Sequence, residues 1–420
     1  MQVPQFYTFL QQNEISNFDL LKTFLENDPY KLKIKEDTKY PSICIIINSN
    51  ESNVSEPLVR FCNGIILDKE SLKIICYTFN KCMEENTINE ELFTGNLYIE
   101  PSYEGTLIRV FHYNNEWFFS TKKMINARRA KWVSSKSFFD LFQETLPNPN
   151  IDEYLDKTKC YSFLLIHHEN NVVIRYPKNN IIHISTFDIL NQCECEATIE
   201  NGIMKSVRQP ISFQNREEFM NYIQALKNDM NIDNEGIMFI NDKYVRQKFK
   251  KDLYVFIRNL WGNTNSRFYR YLELRKNPSD IQNYLIYFEK DKALFASYEE
   301  KISQVAMEIY NLYAAKYISK TEGAKIPYYL KDFIYAIHGN FLKTRVKIKH
   351  EDIMIHILSL DAAKFCYIMN QMKKDKETAD KKDSSSMELI SDESSGTVAS
   401  AVADAVASDV ASNLSTPMVI

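Results

Sequence analysis

The sequence predicts an α+β domain of antiparallel strands, then an all-helical domain, then a disordered C-terminal tail. Three observations carry this expectation. From about residue 40 to 258, short β-rich runs alternate with turn signals. After Trp261-Gly262 the apolar residues fall at a 3.6-residue period, and beyond Lys373 the composition narrows to Ser, Ala, Val, Asp and Lys with no aromatic residue. The expected boundaries are 1–260, with N-terminal strands in 40–95 and a core in 96–260, then 263–372 and 373–420.

The strand candidates are Ser42–Ile47, Gly64–Leu67, Leu72–Tyr77, Leu107–Tyr113, Glu116–Ser120, Tyr161–His167, Val172–Tyr176 and Ile181–Phe187. Asn114-Asn115 and Asn170-Asn171 sit where hairpins would turn. Two helices are expected among them, Ser135–Glu144 behind a serine-rich cap and Glu217–Asn228 with Phe219, Tyr222, Ile223 and Leu226 on one face. In the second domain Ile302, Val305, Ile309, Leu312 and Tyr313 form a stripe on a long helix. Further helices are expected over Ser279–Phe288, Pro327–His338 with Gly339 as a stop, and His350–Met372, four or five in all. The tail cannot bury enough surface to offset the entropy of ordering it, and it would be free to recruit a protein partner.

Composition narrows the function classes. The chain of 420 residues is 45% hydrophobic, enough for at least one large core. It has no apolar run long enough to span a membrane and no signal-like N-terminus, so it is expected in the cytoplasm or nucleus of a host cell and not secreted. With only 9 glycines it has no P-loop or dinucleotide fingerprint. Of 51 basic and 55 acidic residues, Met372–Ile420 holds 5 and 9, so the remainder is balanced and any nucleic-acid contact must come from a local patch. The 8 cysteines lack the paired spacing of a zinc site or disulfide framework, and most are expected to be buried thiols; Cys193 and Cys195 have no second ligand pair, so no metal site is expected. His167 and His168 are expected to point to opposite strand faces, one packed and one exposed.

Candidate site residues lie in the β-rich region. Asn96–Phe111 (NLYIEPSYEGTLIRVF) reads as strand, turn and strand, and Trp117–Ile125 (WFFSTKKMI) ends a strand on paired lysines. Later come Tyr161–Tyr176 (YSFLLIHHENNVVIRY), Glu235–Ile240 (EGIMFI) and Lys243–Phe256 (KYVRQKFKKDLYVF). Alternation on a strand puts Arg246, Lys248 and Lys250 on one face, which suits phosphate. Two basic groups remain: Lys122, Lys123, Arg128, Arg129 and Lys131, with no acid among them, and Lys343, Arg345, Lys347 and Lys349, which alternate as if on one face of an extended segment. Each has a plain alternative. Glu-Gly is a common turn before a strand, and alternating charge is ordinarily a solvated face.

This succession resembles the nucleotidyltransferase domain of ATP-dependent RNA ligases of the bacteriophage T4 RNA ligase 1 type. In that family a K-x-D-G turn precedes a strand pair ending S-K-G-S-I, followed by a glutamate-bearing strand, an E-G strand and a K-x-K strand. An upstream C-R-G-I element looks like Phe61–Ile65 (FCNGI), and a helical domain follows the catalytic one. Lys122, Glu235, Gly236, Lys248 and Lys250 agree with the pattern. Where the family has K-x-D-G this chain has Ser102-Tyr103-Glu104-Gly105; Asn63 replaces an arginine, and Leu165, or Leu164 with a one-residue shift, replaces a glutamate. The chain also resembles a family of iridovirus immediate-early proteins.

What the resemblance implies is a nucleotide or phosphate site at Glu104, Lys122, Glu235, Lys248 and Lys250, with ATP and Mg²⁺ as ligands if the pocket is retained. RNA or another nucleic acid would contact Lys123, Arg128, Arg129, Lys131, Arg246 and the 343–349 group. Covalent adenylylation needs a neutral amine, and Ser102 cannot supply one; no lysine occurs between Cys82 and Thr121. The expectation is a catalytically degenerate ligase-like protein that binds phosphate. The alternatives are an active nucleotidyltransferase using another nucleophile, and a protein-interaction scaffold with no nucleotide.

Overall fold

Two consecutive strands that belong to different sheets place the candidate site. The computed structural model describes residues 3–82, 87–199 and 202–388, and the chain divides into two units at Asn259/Leu260. The first unit opens with helices α1 (Val3–Gln12) and α2 (Phe18–Glu26), the latter capped by the Asn17 side chain. Strands β1 (Leu32–Asp37) and β2 (Tyr40–Asn48), helix α3 (Pro57–Phe61), and strands β3 (Ile65–Asp68) and β4 (Ile74–Cys76) follow. The four strands pair antiparallel in chain order, and Phe6, Leu10, Leu21 and Leu25 pack with Ile43, Ile45 and Ile66 in one core.

Then come β5 (Leu97–Ser102), β6 (Thr106–Tyr113), β7 (Glu116–Ser120), α4 (Phe138–Thr145), β8 (Lys159–Ile166), β9 (Asn180–Asp188) and β10 (Cys193–Cys195). The unit is completed by β11 (Met204–Lys205), β12 (Gln209–Ile211), α5 (Arg216–Lys227), β13 (Gly236–Asn241) and β14 (Arg246–Lys250). One sheet runs β10-β9-β8-β6-β7, with β11 parallel to β9; another runs β12-β5-β13-β14. Tyr103-Glu104-Gly105 therefore carries the chain from one sheet to the other. Asn114 and Asn115 both adopt positive φ, the backbone of a tight hairpin, and Ser137 and Asp140 form a capping box on α4.

The β5-β13-β14 register sorts the side chains. Ser102 pairs with Gly236 and Gly236 with Lys250; Glu100 with Met238 and Met238 with Lys248; Tyr98 with Ile240 and Ile240 with Arg246. Directly opposed residues share a face, so this face carries Glu100, Ser102, Arg246, Lys248 and Lys250. The other face carries Leu97, Phe239 and Phe249, packed on Phe219 and Ile223 of α5. Truncating one of these phenylalanines to alanine should cost about 3–5 kcal/mol.

Helix α6 (Asp252–Trp261) runs through the boundary, and the second unit continues with α7 (Arg267–Leu274), α8 (Pro278–Tyr287), α9 (Lys292–Tyr313), α10 (Lys331–Thr344), α11 (His350–Ser359) and α12 (Ala362–Glu388). The α+β architecture with a helical region after it is the one expected. Five details differ.

Val172–Tyr176 is not a strand, because Val173 and Ile174 donate their N–H groups to Glu104, at 2.9 and 2.8 Å, instead of to a ladder. Helix α10 passes through Gly339, where a Cβ would meet nothing, and stops at Arg345 with φ 59°. His350–Met372 is two helices: Asp361 accepts from Ala363 N at 2.8 Å and so starts α12 afresh. Helix α12 then continues past Lys373, while 389–420 lies outside the described residues, as does the proposed recruiting arm. Four of the eight cysteines are fully buried, fewer than expected. No helix among the described residues is long and apolar enough to cross a membrane.

Candidate functional site

At the end of β5 the Ser102 hydroxyl donates to Glu235 Oε1 at 2.9 Å, and Lys248 Nζ donates to the same oxygen at 2.6 Å. Lys250 Nζ stands 4.0 Å from the other oxygen. Glu235 is 2% and Lys248 5% exposed, so the network is internal. Burial alone would raise the Glu235 carboxyl. The charges of Lys248 and Lys250, with the hydrogen bonds from Lys248 and Ser102, hold it below the ordinary carboxylate range. Gly236 is required beside it, because a Cβ there would lie 2.1 Å from the Phe249 carbonyl oxygen.

Glu104, in the sheet-crossing turn, points elsewhere. Its Oε2 accepts the Val173 and Ile174 N–H groups, and Tyr254 donates to Oε1 at 3.3 Å. Burial raises its carboxyl. Glu104 therefore holds the 173–174 backbone.

Lys122 follows β7. Its amine end is enclosed, 4.5 Å above the Phe79 ring, and burial, with Arg109, Lys248 and Lys81 as further positive charges, pushes it down to about 8 against the opposing pull of Cys82. Gly64, of the FCNGI element, lies against it: its φ is +91° and a Cβ would meet the Lys122 carbonyl oxygen at 2.9 Å. The structure thus gathers Ser102, Glu235, Lys248 and Lys250 at one sheet end, while Lys122, following a strand of the other sheet, is near enough for the Lys248 charge to act on it.

The remaining cations are dispersed. Arg246, buried, forms a two-pronged pair with Glu194 of β10, which joins the two sheets, and its guanidinium lies 5.0 Å over the Phe79 ring. Arg128 stacks 3.3 Å over Phe139, and Arg129 pairs with Asp37 at 3.3 Å. Lys123 is half-buried, its N–H donating to Thr121 Oγ1 at 3.3 Å, and Lys131 is exposed. Lys343 lies in the last turn of α10 and Arg345 is left-handed, so the four-residue alternation on an extended segment is broken, although Lys343, Arg345, Lys347 and Lys349 are all exposed.

Three features escaped the sequence reading. Arg109, 1% exposed, donates to the carbonyls of Gly64 and Thr121, and so ties the FCNGI turn to the end of β7. Its signal was a lone arginine within an apolar strand. Glu100 keeps one buried oxygen without a hydrogen-bond partner, and Glu194 pairs with Arg246. The two histidines lie past the end of β8, so strand alternation does not apply. One is packed and one exposed, as expected, yet their rings stack 4.6 Å apart.

No family model matches the chain. It is similar to the immediate-early protein ICP-46 homolog of Invertebrate iridescent virus 6, 25% identical over 363 residues that cover 80% of each chain. It is also similar to a protein of Autographa californica nuclear polyhedrosis virus named a bifunctional polynucleotide kinase/RNA ligase, 25% identical over 36% of this chain and 24% of that one. Among solved structures it is similar to an ATP-dependent DNA ligase from Aquifex aeolicus, with TM-score 0.39, 12% identity and coverage of 78% and 80%. An archaeal ATP-dependent RNA ligase gives TM-score 0.38, 14% identity and coverage of 67% and 70%. The sequence similarities are thus to viral proteins, one named an immediate-early protein and one a polynucleotide kinase/RNA ligase.

Proposed function

We propose that the protein is a catalytically degenerate relative of viral RNA ligases that holds nucleic-acid phosphate without forming a covalent adenylate. The observation that carries this reading is Ser102. It stands where the resemblance puts the attacking lysine, and its hydroxyl is already committed to Glu235. A phosphoramidate needs an amine, so the first half of ligation has no nucleophile at this position.

The surrounding charges still suit phosphate. Lys250 keeps 21% of its side chain exposed beside the network, and Lys122 brings a second amine, 4.5 Å above the Phe79 ring, that would attract an anionic guest. These residues fit the phosphates of ATP with its Mg²⁺, or those of RNA, better than they fit adenylyl transfer. Similarity to a protein named immediate-early is consistent with an early role in infection.

One observation favours a second reading. Lys122 has the lowered pKa that a nucleophilic amine needs, which leaves an active nucleotidyltransferase with a relocated lysine. Incubation with labelled ATP and Mg²⁺, beside a binding assay with 5′-phosphorylated RNA, separates the readings. RNA binding with no protein–AMP adduct is expected. An adduct mapped to Lys122 would establish the second reading, and absence of both would leave a protein-interaction scaffold.

A further inference from the structure

We propose that His167, His168 and Glu169, completed by Glu144, bind a divalent ion of the zinc class. Where β8 ends at Ile166 the chain turns into a short 3₁₀ segment, and there the rings of His167 and His168 lie 4.6 Å apart. The donor atoms of the two imidazoles and the Glu169 carboxylate all lie within 4.8 Å of one another. Glu144, in the last turn of α4, places Oε2 3.6 Å from His167 Nε2. An ion bound at about 2.0–2.3 Å holds tetrahedral donors roughly 3.5 Å apart, so an inward movement of about an ångström closes the shell.

The surroundings are prepared for it. His168 Nδ1 lies 3.0 Å from Asn179 Oδ1; donation of the Nδ1 proton to that oxygen leaves the Nε2 lone pair for the ion. His167 Nδ1 accepts the Glu169 N–H at 3.2 Å, and coordination through Nε2 would move the ring proton to Nδ1 and end that contact. A positive charge already stands at the site: Lys136 Nζ bridges Glu144 and Glu169 at 2.9 and 2.8 Å. Its side chain is 41% exposed, so it is free to swing into solvent when the ion displaces it.

The ion would be structural. Asn170 donates to Thr106 Oγ1 at 2.8 Å, and Val173 and Ile174 bind Glu104, so a fixed 167–169 turn would steady the sheet crossing that follows Ser102.

The test uses the full chain, stripped with a chelator and titrated with Co²⁺ as the spectroscopic probe, then with Zn²⁺ in competition. One equivalent of tetrahedral Co²⁺ is expected, displaced by Zn²⁺, with a raised melting temperature. His168→Ala and Glu169→Gln should each weaken Co²⁺ binding about tenfold or more. His168 is exposed, so its removal leaves the core intact. Absence of saturable binding would overturn the proposal. So would unchanged affinity in His168→Ala, or a loss confined to a Cys193→Ser, Cys195→Ser variant.

Discussion

Ser102 and Lys248 share one oxygen of Glu235, at 2.9 and 2.6 Å, inside a network closed to solvent. The glutamate and the lysine that would serve a nucleotide are thus satisfied by each other and by a hydroxyl. Lys250 stands 4.0 Å from the other Glu235 oxygen with 21% of its side chain exposed, and on the proposed reading it and Lys122 are the cations that would meet a phosphate.

A Ser102→Lys change should not restore ligation. The new ammonium would compete with Lys248 for Glu235 and stay protonated, and Asn63 and Leu165 would still stand at the other altered positions. Labelled ATP and a nicked RNA substrate measure this; adenylylation and sealing by that single variant would contradict the account.

Lys248→Met should destabilise the fold by about 3–5 kcal/mol, because it leaves Glu235 buried without its main partner. A Lys248→Met, Glu235→Gln double variant should lose less than the sum of the two single changes, read by urea denaturation. Since the folded-state pKa of Glu235 is depressed, its stabilisation is present above the ordinary carboxylate pKa of about 4.3 and is lost as pH falls below it. Glu235→Gln should lack that part of the acid transition.

Lys122 gives a step of the same sense in the alkaline range. Its folded-state pKa of about 8 lies below that of the unfolded chain, so ionised Lys122 lowers stability below pH 8 and the penalty lifts as pH rises from there toward about 10.4. Phosphate binding should run the other way, weakening as pH rises through 8 and the amine loses its charge. Lys122→Met should remove both steps in melting and RNA-binding series across that range.

The strands and their turns were largely legible because half-buried antiparallel strands alternate and hairpins announce themselves, as at Asn114-Asn115. Val172–Tyr176 misled because nothing local shows that Glu104, far away in sequence, would take the N–H groups of its neighbours. Gly339 misled for the reverse reason: a glycine stops a helix only where a left-handed residue is needed, and that residue is Arg345. At the site, alternation placed Arg246, Lys248 and Lys250 on one face. It could not show that Arg246 would be consumed by Glu194, or Lys248 by Glu235, since those partners arrive from other strands. His167 and His168 defied alternation because the strand ends one residue before them.

Removing 389–420 should leave the melting temperature within about 2 °C, as its composition offers no packed core. Removing 373–420 should lower it further, since that cut also takes Asp375, which accepts from Tyr329 at 2.7 Å, and Lys376, which pairs with Glu308 at 2.6 Å. Equal melting of the two truncations would show that these contacts contribute nothing.

The most direct test of phosphate holding is fluorescence anisotropy of 5′-phosphorylated single-stranded RNA across a salt series, comparing wild type with Lys250→Gln. Lys250 is the cation of the network whose loss spares the buried Glu235–Lys248 pair, so the variant should fold normally. The account predicts weaker binding by about 1–3 kcal/mol and a salt slope reduced by close to one unit. Equal affinity and equal slope for the two proteins at every salt concentration would contradict it.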